Sequence, residues 1–232
     1  MLNINVITIF PDFFANFFEH GVIKEAFLQN LCQVNIYNLR DFTTDKQKKV
    51  DDRPYGGGPG MVLMPQPLDE AINYLKDKIG DRNGSSKTIL LTPKGRVLNQ
   101  PLLKELVKIP NLILVCGRYE GIDQRVIDLD IDMEISIGDY VLSGGEVPAM
   151  VLMDGLIRLL PGVVGKKESV EQESFEDSLL DFPQYTRPPV FKGLKVPEVL
   201  LTGNHEKIKS WRNEQSVKIT KNRRPDLFDK KS

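Results

Sequence analysis

Gly138-Asp139-Tyr140-Val141-Leu142-Ser143-Gly144-Gly145-Glu146 separates a short alternating apolar segment, Ile131 to Ile137, from a long apolar one, Val147 to Leu160. A glycine-punctuated loop between a strand and a buried helix is where α/β proteins hold small ligands. Two more glycine-marked loops follow apolar runs upstream, Leu90-Leu91-Thr92-Pro93-Lys94-Gly95 and Cys116-Gly117-Arg118-Tyr119-Glu120-Gly121. Three loops of one kind predict one composite pocket, with mainly backbone groups and apolar walls from Leu90, Leu91, Ile137, Val141 and Leu142. Such a lining suits a flat heterocycle such as adenine better than a polyphosphate.

Working outward from these loops, strand and helix patterns alternate. Asn3 to Ile9, Gln33 to Leu39, Thr88 to Leu91 and Leu112 to Cys116 read as strands, the last covered on both faces. Phe13 to Glu19 and Val22 to Asn30 read as short helices. Leu68, Ile72, Leu75 and Ile79 have amphipathic helical spacing, and Asn99 is placed to cap a helix carrying Leu102, Leu103, Leu106 and Val107. The alternation predicts an α/β protein with a mainly parallel sheet. Val147 to Leu160 is apolar nearly all round, which predicts burial on more than one side, inside the fold or at a subunit interface. Its Asp154 and Arg158 are spaced to pair on one face.

The chain has 232 residues, 41% hydrophobic and 27% charged, the balance of a globular protein of one full domain and a smaller one. No apolar run is long enough to span a bilayer, so no membrane partner is expected. The N-terminus reads as a strand rather than a signal peptide. Of the two cysteines, Cys32 and Cys116, the latter ends an apolar run and reads as a buried thiol, and the cytoplasm is the expected compartment. His20 and His205 lack a partner at ligand spacing, and no zinc, phosphate-loop or dinucleotide fingerprint is present, so no protein metal site is expected.

The overall charge of -1 conceals an asymmetry. Residues 183–232 carry 12 Lys and Arg against 5 Asp and Glu, a net of +7, and residues 1–182 carry a net of -8. A basic end beside an acidic body fits a nucleic-acid partner, and equally a solvated helix surface. Between them, residues 166–182 are polar and acidic and read as a linker. A helix begins near Asn204, with Ile208, Trp211 and Ile219 on one stripe and Lys207, Lys209, Arg212, Lys218 and Lys221 elsewhere. Tyr55-Gly56-Gly57-Gly58-Pro59-Gly60-Met61 leaves its amides unscreened, which permits close approach of a phosphate or planar base, and Asp51-Asp52-Arg53 precedes it with charges of both signs.

That glycine loop, Cys116-Gly117-Arg118-Tyr119-Glu120-Gly121-Ile122-Asp123-Gln124-Arg125 and Ser136-Ile137-Gly138 through Glu146 resemble, in order, the motifs of the bacterial tRNA (guanine-N1)-methyltransferases. Ser174-Phe175, Tyr185-Thr186-Arg187-Pro188 and Arg223-Arg224-Pro225 extend the likeness, which runs from Asn5 to about Leu227. The resemblance implies a knotted, SPOUT-type S-adenosylmethionine enzyme with a C-terminal trefoil knot and a small helical C-terminal domain. It implies a catalytic domain over 1–165, an acidic interdomain linker over 166–182 and a basic tRNA-binding domain over 183–232. The reaction implied is methyl transfer to N1 of the guanosine immediately 3′ of the anticodon (tRNA position 37).

Carried over residue by residue, the resemblance places the cofactor against Leu90, Leu91, Thr92 and Pro93, against Gly117 and Tyr119, and against Ile137, Gly138, Asp139, Tyr140, Val141 and Leu142. Gly144 and Gly145 close the loop, and Glu120 faces the positive end of the cofactor. It implies a homodimer with a shared active site, in which Val147 to Leu160 is interface. Guanine N1 bears a proton at neutral pH that a base must remove, while charge grows on O6 and needs a cation. The family assigns the base to an Asp before a Ser-Phe pair, where this chain has Glu173, one methylene longer, with Asp177 as the alternative base. It assigns the cation to Arg158. It also allows a divalent ion such as Mg²⁺, held with cofactor or RNA oxygens because no ligand cluster is visible in the sequence.

Overall fold

The computed structural model describes residues 1–81, 84–164, 174–175 and 178–229. The chain forms two compact units, Met1–Gly165 and Lys166–Ser232.

The first unit is built on a five-stranded sheet: β1 (Leu2–Thr8), β2 (Cys32–Asn38), β5 (Ser86–Val97), β6 (Asn111–Cys116) and β7 (Met133–Ser136). Their order is β2-β1-β6-β5-β7, and every neighbouring pair runs parallel. Two-residue strands β3 (Asp51–Asp52) and β4 (Val62–Leu63) form a separate antiparallel hairpin, and the loop Tyr55 to Gly60 joins them. The helices are α1 (Gly21–Leu28), α2 (Pro65–Lys78), α3 (Gln100–Leu106), α4 (Gln124–Asp130) and α5 (Glu146–Ile157). Phe13 to Glu19, expected to be helical, forms two short 3-10 turns, Pro11–Phe14 and Phe17–Glu19. Asn99 accepts from the Leu102 amide at 3.0 Å and caps α3, as its position predicts.

The two-residue period of the central strands sorts their side chains into two cores. Ile4, Val6, Leu112, Leu114 and Cys116 face one layer, with α1, α3 and α5. Ile7, Ile113 and Val115 face the other, with α2 and α4. Strands buried on both faces read as uninterrupted apolar runs, which explains the sequence of β6. Helix α5 buries Pro148, Ala149, Leu152, Met153, Leu156 and Ile157, while Val147 and Val151 stay exposed within the chain. A helix of this length is marginal alone, so this packing holds it in place.

Strand β5 is longer than the sequence suggests because it is broken in register. Leu91 and Arg96 both pair with Ile135, so Thr92 to Gly95 bulges out of the ladder. Gly95 lies directly on β7, where an added Cβ would overlap the backbone of Glu134 and Ile135.

The second unit contains a small hairpin absent from the sequence reading, β8 (Val190–Phe191) paired with β9 (Leu194–Lys195). Helices α6 (His205–Arg223) and α7 (Asp226–Asp229) follow. Asn204 caps α6 by accepting from the Lys207 amide at 3.1 Å. Thr220 Oγ1 donates to Ser216 O at 2.7 Å and accepts from the Leu180 amide at 2.8 Å, tying the chain ahead of the hairpin to α6. The described part of the acidic stretch is therefore hydrogen-bonded.

Replacing Gly95 by Ala is expected to lower stability by roughly 1–3 kcal/mol, because backbone rather than a flexible side chain obstructs the new methyl. The midpoint of urea unfolding measures this.

Candidate functional site

Parallel strands place their C-terminal ends on one edge, and β6, β5 and β7 are adjacent. The loops that follow them therefore converge, as ligand-binding loops do in open α/β sheets. They enclose a cavity of about 350 Å³, at the low end of the range for small-molecule sites. From β5 come Leu90, Leu91, Thr92 and Pro93; from the loop after β6 come Gly117, Tyr119 and Glu120. The loop after β7 contributes Ile137, Gly138, Tyr140, Val141 and Leu142, then Gly144 and Gly145. Of the cavity residues expected from the sequence, Asp139 is not in the lining.

The β7 loop is held locally. The Ser136 hydroxyl donates to Gly138 O at 3.0 Å, and the Tyr140 hydroxyl donates to Ile137 O at 3.2 Å. Gly138 has φ +146°, and a Cβ there would strike the Tyr140 ring at 2.5 Å, so both backbone and space require glycine. Tyr119, Tyr140, Val141 and Leu142 are exposed despite their size, which leaves an apolar rim at the mouth.

Glycines 144 and 145, both in the cavity lining, also allow a close backbone approach. Gly145 donates to Gly117 O at 2.9 Å, and a Cβ on it would lie 2.7 Å from Cys116 Cα. A Cβ on Gly144 would overlap the Arg118 guanidinium. The pair lets the β7 loop lie flat on the end of β6, which closes the cavity floor.

Beneath that floor is a charge network that sequence reasoning missed. Glu146, the first residue of α5, is 1% exposed. Its Oε2 accepts from Arg118 Nε at 2.9 Å and its Oε1 from the Thr8 hydroxyl at 2.7 Å. Arg118 also donates to Ser143 O at 3.0 Å and stacks over the Phe10 ring at 4.6 Å. A carboxylate at a helix N-terminus is favoured by the unpaired amides there. The available signal was a Glu closing a glycine loop and an Arg inside another, but nothing in the sequence pairs them. Burial, and next the Glu146 charge, hold the Cys116 thiol well above its ordinary value.

The glycine loop 55–60 sits at the cavity rim. The Glu120 amide donates to Met61 O at 3.0 Å, and the Leu63 amide donates to Gly121 O at 3.0 Å. A Cβ at Gly60 would lie 2.5 Å from Glu120 Oε1. Tyr55 at its tip is fully exposed.

Of the residues expected to act chemically, Arg158 is the half-buried C-cap of α5, its amide donating to Asp154 O at 3.1 Å, and it does not line the cavity. Glu173 and Asp177 lie outside the described residues. His20 and His205 are exposed at the starts of α1 and α6. Among the described residues no cluster of His, Cys, Asp or Glu is arranged to hold a metal ion, and no helix is long and apolar enough to cross a membrane.

Comparison with known proteins decides the family. The model of the family described as "tRNA (Guanine-1)-methyltransferase TrmD" matches residues 2–230. The chain belongs to this family. A tRNA (guanine-N(1)-)-methyltransferase of Clostridioides difficile is 50% identical over 99% of this chain and 98% of its own length. Proteins of the same name from Shewanella sediminis and Pasteurella multocida are 55% and 53% identical, over 98% and 97% of this chain and 93% and 91% of theirs.

Substituting Arg118 by Met leaves the Glu146 carboxylate buried without its cation, and is expected to cost roughly 3–5 kcal/mol of stability. The double variant Arg118→Met, Glu146→Gln is expected to regain part of that loss, because the uncompensated charge is gone. Urea unfolding of both variants gives the coupling.

Proposed function

We propose that this member of the tRNA (guanine-N1)-methyltransferase family transfers a methyl group from S-adenosylmethionine to N1 of the guanosine immediately 3′ of the anticodon. The observation that carries the reading is the cavity at the C-terminal ends of β5, β6 and β7, in a chain that matches the family over residues 2–230. Its volume, apolar walls and bare glycine amides suit a nucleoside with a short polar tail. When bound, the cofactor supplies a methyl group activated on a sulfonium.

The residues of the chain then divide the work. Leu90, Ile137 and Leu142 offer flat apolar surface to the adenine, and backbone groups of the lining loops provide hydrogen-bonding partners. Glu120, on the rim, places a carboxylate where it favours a positive sulfur. The proton on guanine N1 goes to Glu173, with Asp177 the alternative base. Glu carries one methylene more than the family's Asp and can take the same proton, since reach decides before pKa does. Arg158 stabilises the negative charge that grows on O6.

Because Arg158 does not line the cavity of its own chain, this reading includes a homodimer that shares its active sites, with the exposed Val147 and Val151 of α5 in the interface. It also includes the trefoil knot, in which the chain after β7 threads behind the loop after β5. The tight seating of Gly145 on Cys116 and of Gly155 against Leu103 suits such threading. A divalent ion, where the reaction uses one, is held by cofactor or RNA oxygens. The enzyme works in the cytoplasm, and residues 183–232, net +7, form the tRNA-binding domain, with 166–182 as the interdomain linker.

Labelled methyl is expected to enter a transcript with guanine after the anticodon and not one with adenine there. Glu173→Gln is expected to lower turnover by about 100-fold or more with cofactor binding kept. Near wild-type turnover, together with loss on Asp177→Asn, would move the base to Asp177. Affinity for tRNA is expected to fall by at least tenfold between about 50 and 200 mM salt; a flat titration would remove the basic segment from this role.

A further inference from the structure

The second unit contains a cleft of about 550 Å³ that the reading above does not use. Its walls include Phe182, Tyr185, Arg187, Ile208, Trp211 and Arg212. In a unit this small these apolar side chains would be expected to close on one another. Instead Tyr185 is 48% exposed, Trp211 is only half-buried, and their ring centroids stand 6.3 Å apart at a tilt of 56°. Leu227 is the only apolar side chain beyond residue 178 that is buried among the described residues. The aromatic faces therefore line an open slot.

The polar groups in the same slot point to its ligand. The Arg212 guanidinium lies over the Phe182 ring at 4.6 Å, yet its Nε is buried without a hydrogen-bond acceptor among the described residues. A buried guanidinium N–H lacking an acceptor is costly, and a ligand oxygen or ring nitrogen would satisfy it. Arg187 adds a second cation, and the surrounding segment 183–232 is net +7. Stacking surface, planar cations and an unmet donor together match an unstacked base with its phosphate. A purely apolar partner would leave the Arg212 Nε–H unmet.

We infer that this cleft takes one unpaired nucleotide of the bound RNA, stacked against Trp211 and Tyr185 with Arg212 donating to it, at a point separate from the methylated guanine. The inference rests on tRNA being the substrate.

Trp211 is the chain's single tryptophan, so its emission reports on the cleft directly. The full-length protein is titrated with the guanine-bearing transcript, with a single-stranded oligoribonucleotide and with an RNA duplex of equal length, while methyl transfer is measured on the same preparation. Saturable quenching by the transcript and the single strand, and little by the duplex, is expected. Trp211→Ala is expected to weaken transcript binding by about tenfold or more, while Trp211→Phe, which keeps a stacking face and the fold, stays within a few-fold of the parent.

Methyl transfer with unchanged tryptophan emission would overturn the cleft inference alone. Quenching by single strands without methyl transfer would support the cleft and count against the proposed reaction. Equal quenching by the duplex would overturn the cleft inference, as would a blue shift that depends only on protein concentration, since a second copy would then cover the slot.

Discussion

The buried carboxylate of Glu146 connects three parts of the chain that are distant in sequence. Thr8 ends the interior strand β1, Arg118 lies in the loop after β6, and Glu146 begins α5; its carboxylate bonds to both of the others. A single buried charge of this kind is expensive, and here the Arg118 cation and the Thr8 hydroxyl both meet it at the start of a helix. Arg118 in turn holds Ser143 O and leaves no room for a side chain on Gly144. The cavity floor, the direction of α5 and the course of the β7 loop all follow from that convergence.

Above the floor, the cavity depends on strand order more than on any one loop. Because β6, β5 and β7 are neighbours and parallel, their three following loops meet at one edge. The register break of β5 then lifts Thr92 and Pro93 over the end of β7, with Gly95 allowing the strands to touch. The hairpin β3–β4 brings Gly60 against Glu120 at the rim. What results is a small apolar chamber floored by glycines and bordered by a carboxylate.

The two units are stabilised by different means. The first has two cores, one on each face of the sheet, filled by alternate residues of the same strands. The second relies on a polar helix, its Asn204 cap and the hydrogen bonds of Thr220, while its aromatic and basic side chains remain partly open. A rigid chamber for chemistry and a basic, aromatic surface for gripping a flexible polymer have different requirements. The proposed division between catalysis and tRNA binding follows that contrast.

Sequence alone determined most elements of the first unit and its glycine-marked loops. Alternating or uninterrupted apolar runs specified β1, β2, β6, β7 and the start of β5, Asn99 and Asn204 marked the helix starts they cap, and glycine-marked loops after apolar runs indicated a composite pocket. It also carried the motifs that placed the chain in its family. These signals are local, set by side-chain period and backbone freedom within a few residues. Tertiary structure decided why Gly144 and Gly145 are glycines, which faces of α5 stay open, and that Arg118, Glu146 and Thr8 form one network. It also set the register break in β5 and the unmet donor of Arg212 in an aromatic slot. Each of these depends on atoms brought together across many intervening residues, through close approach and burial that no local pattern encodes.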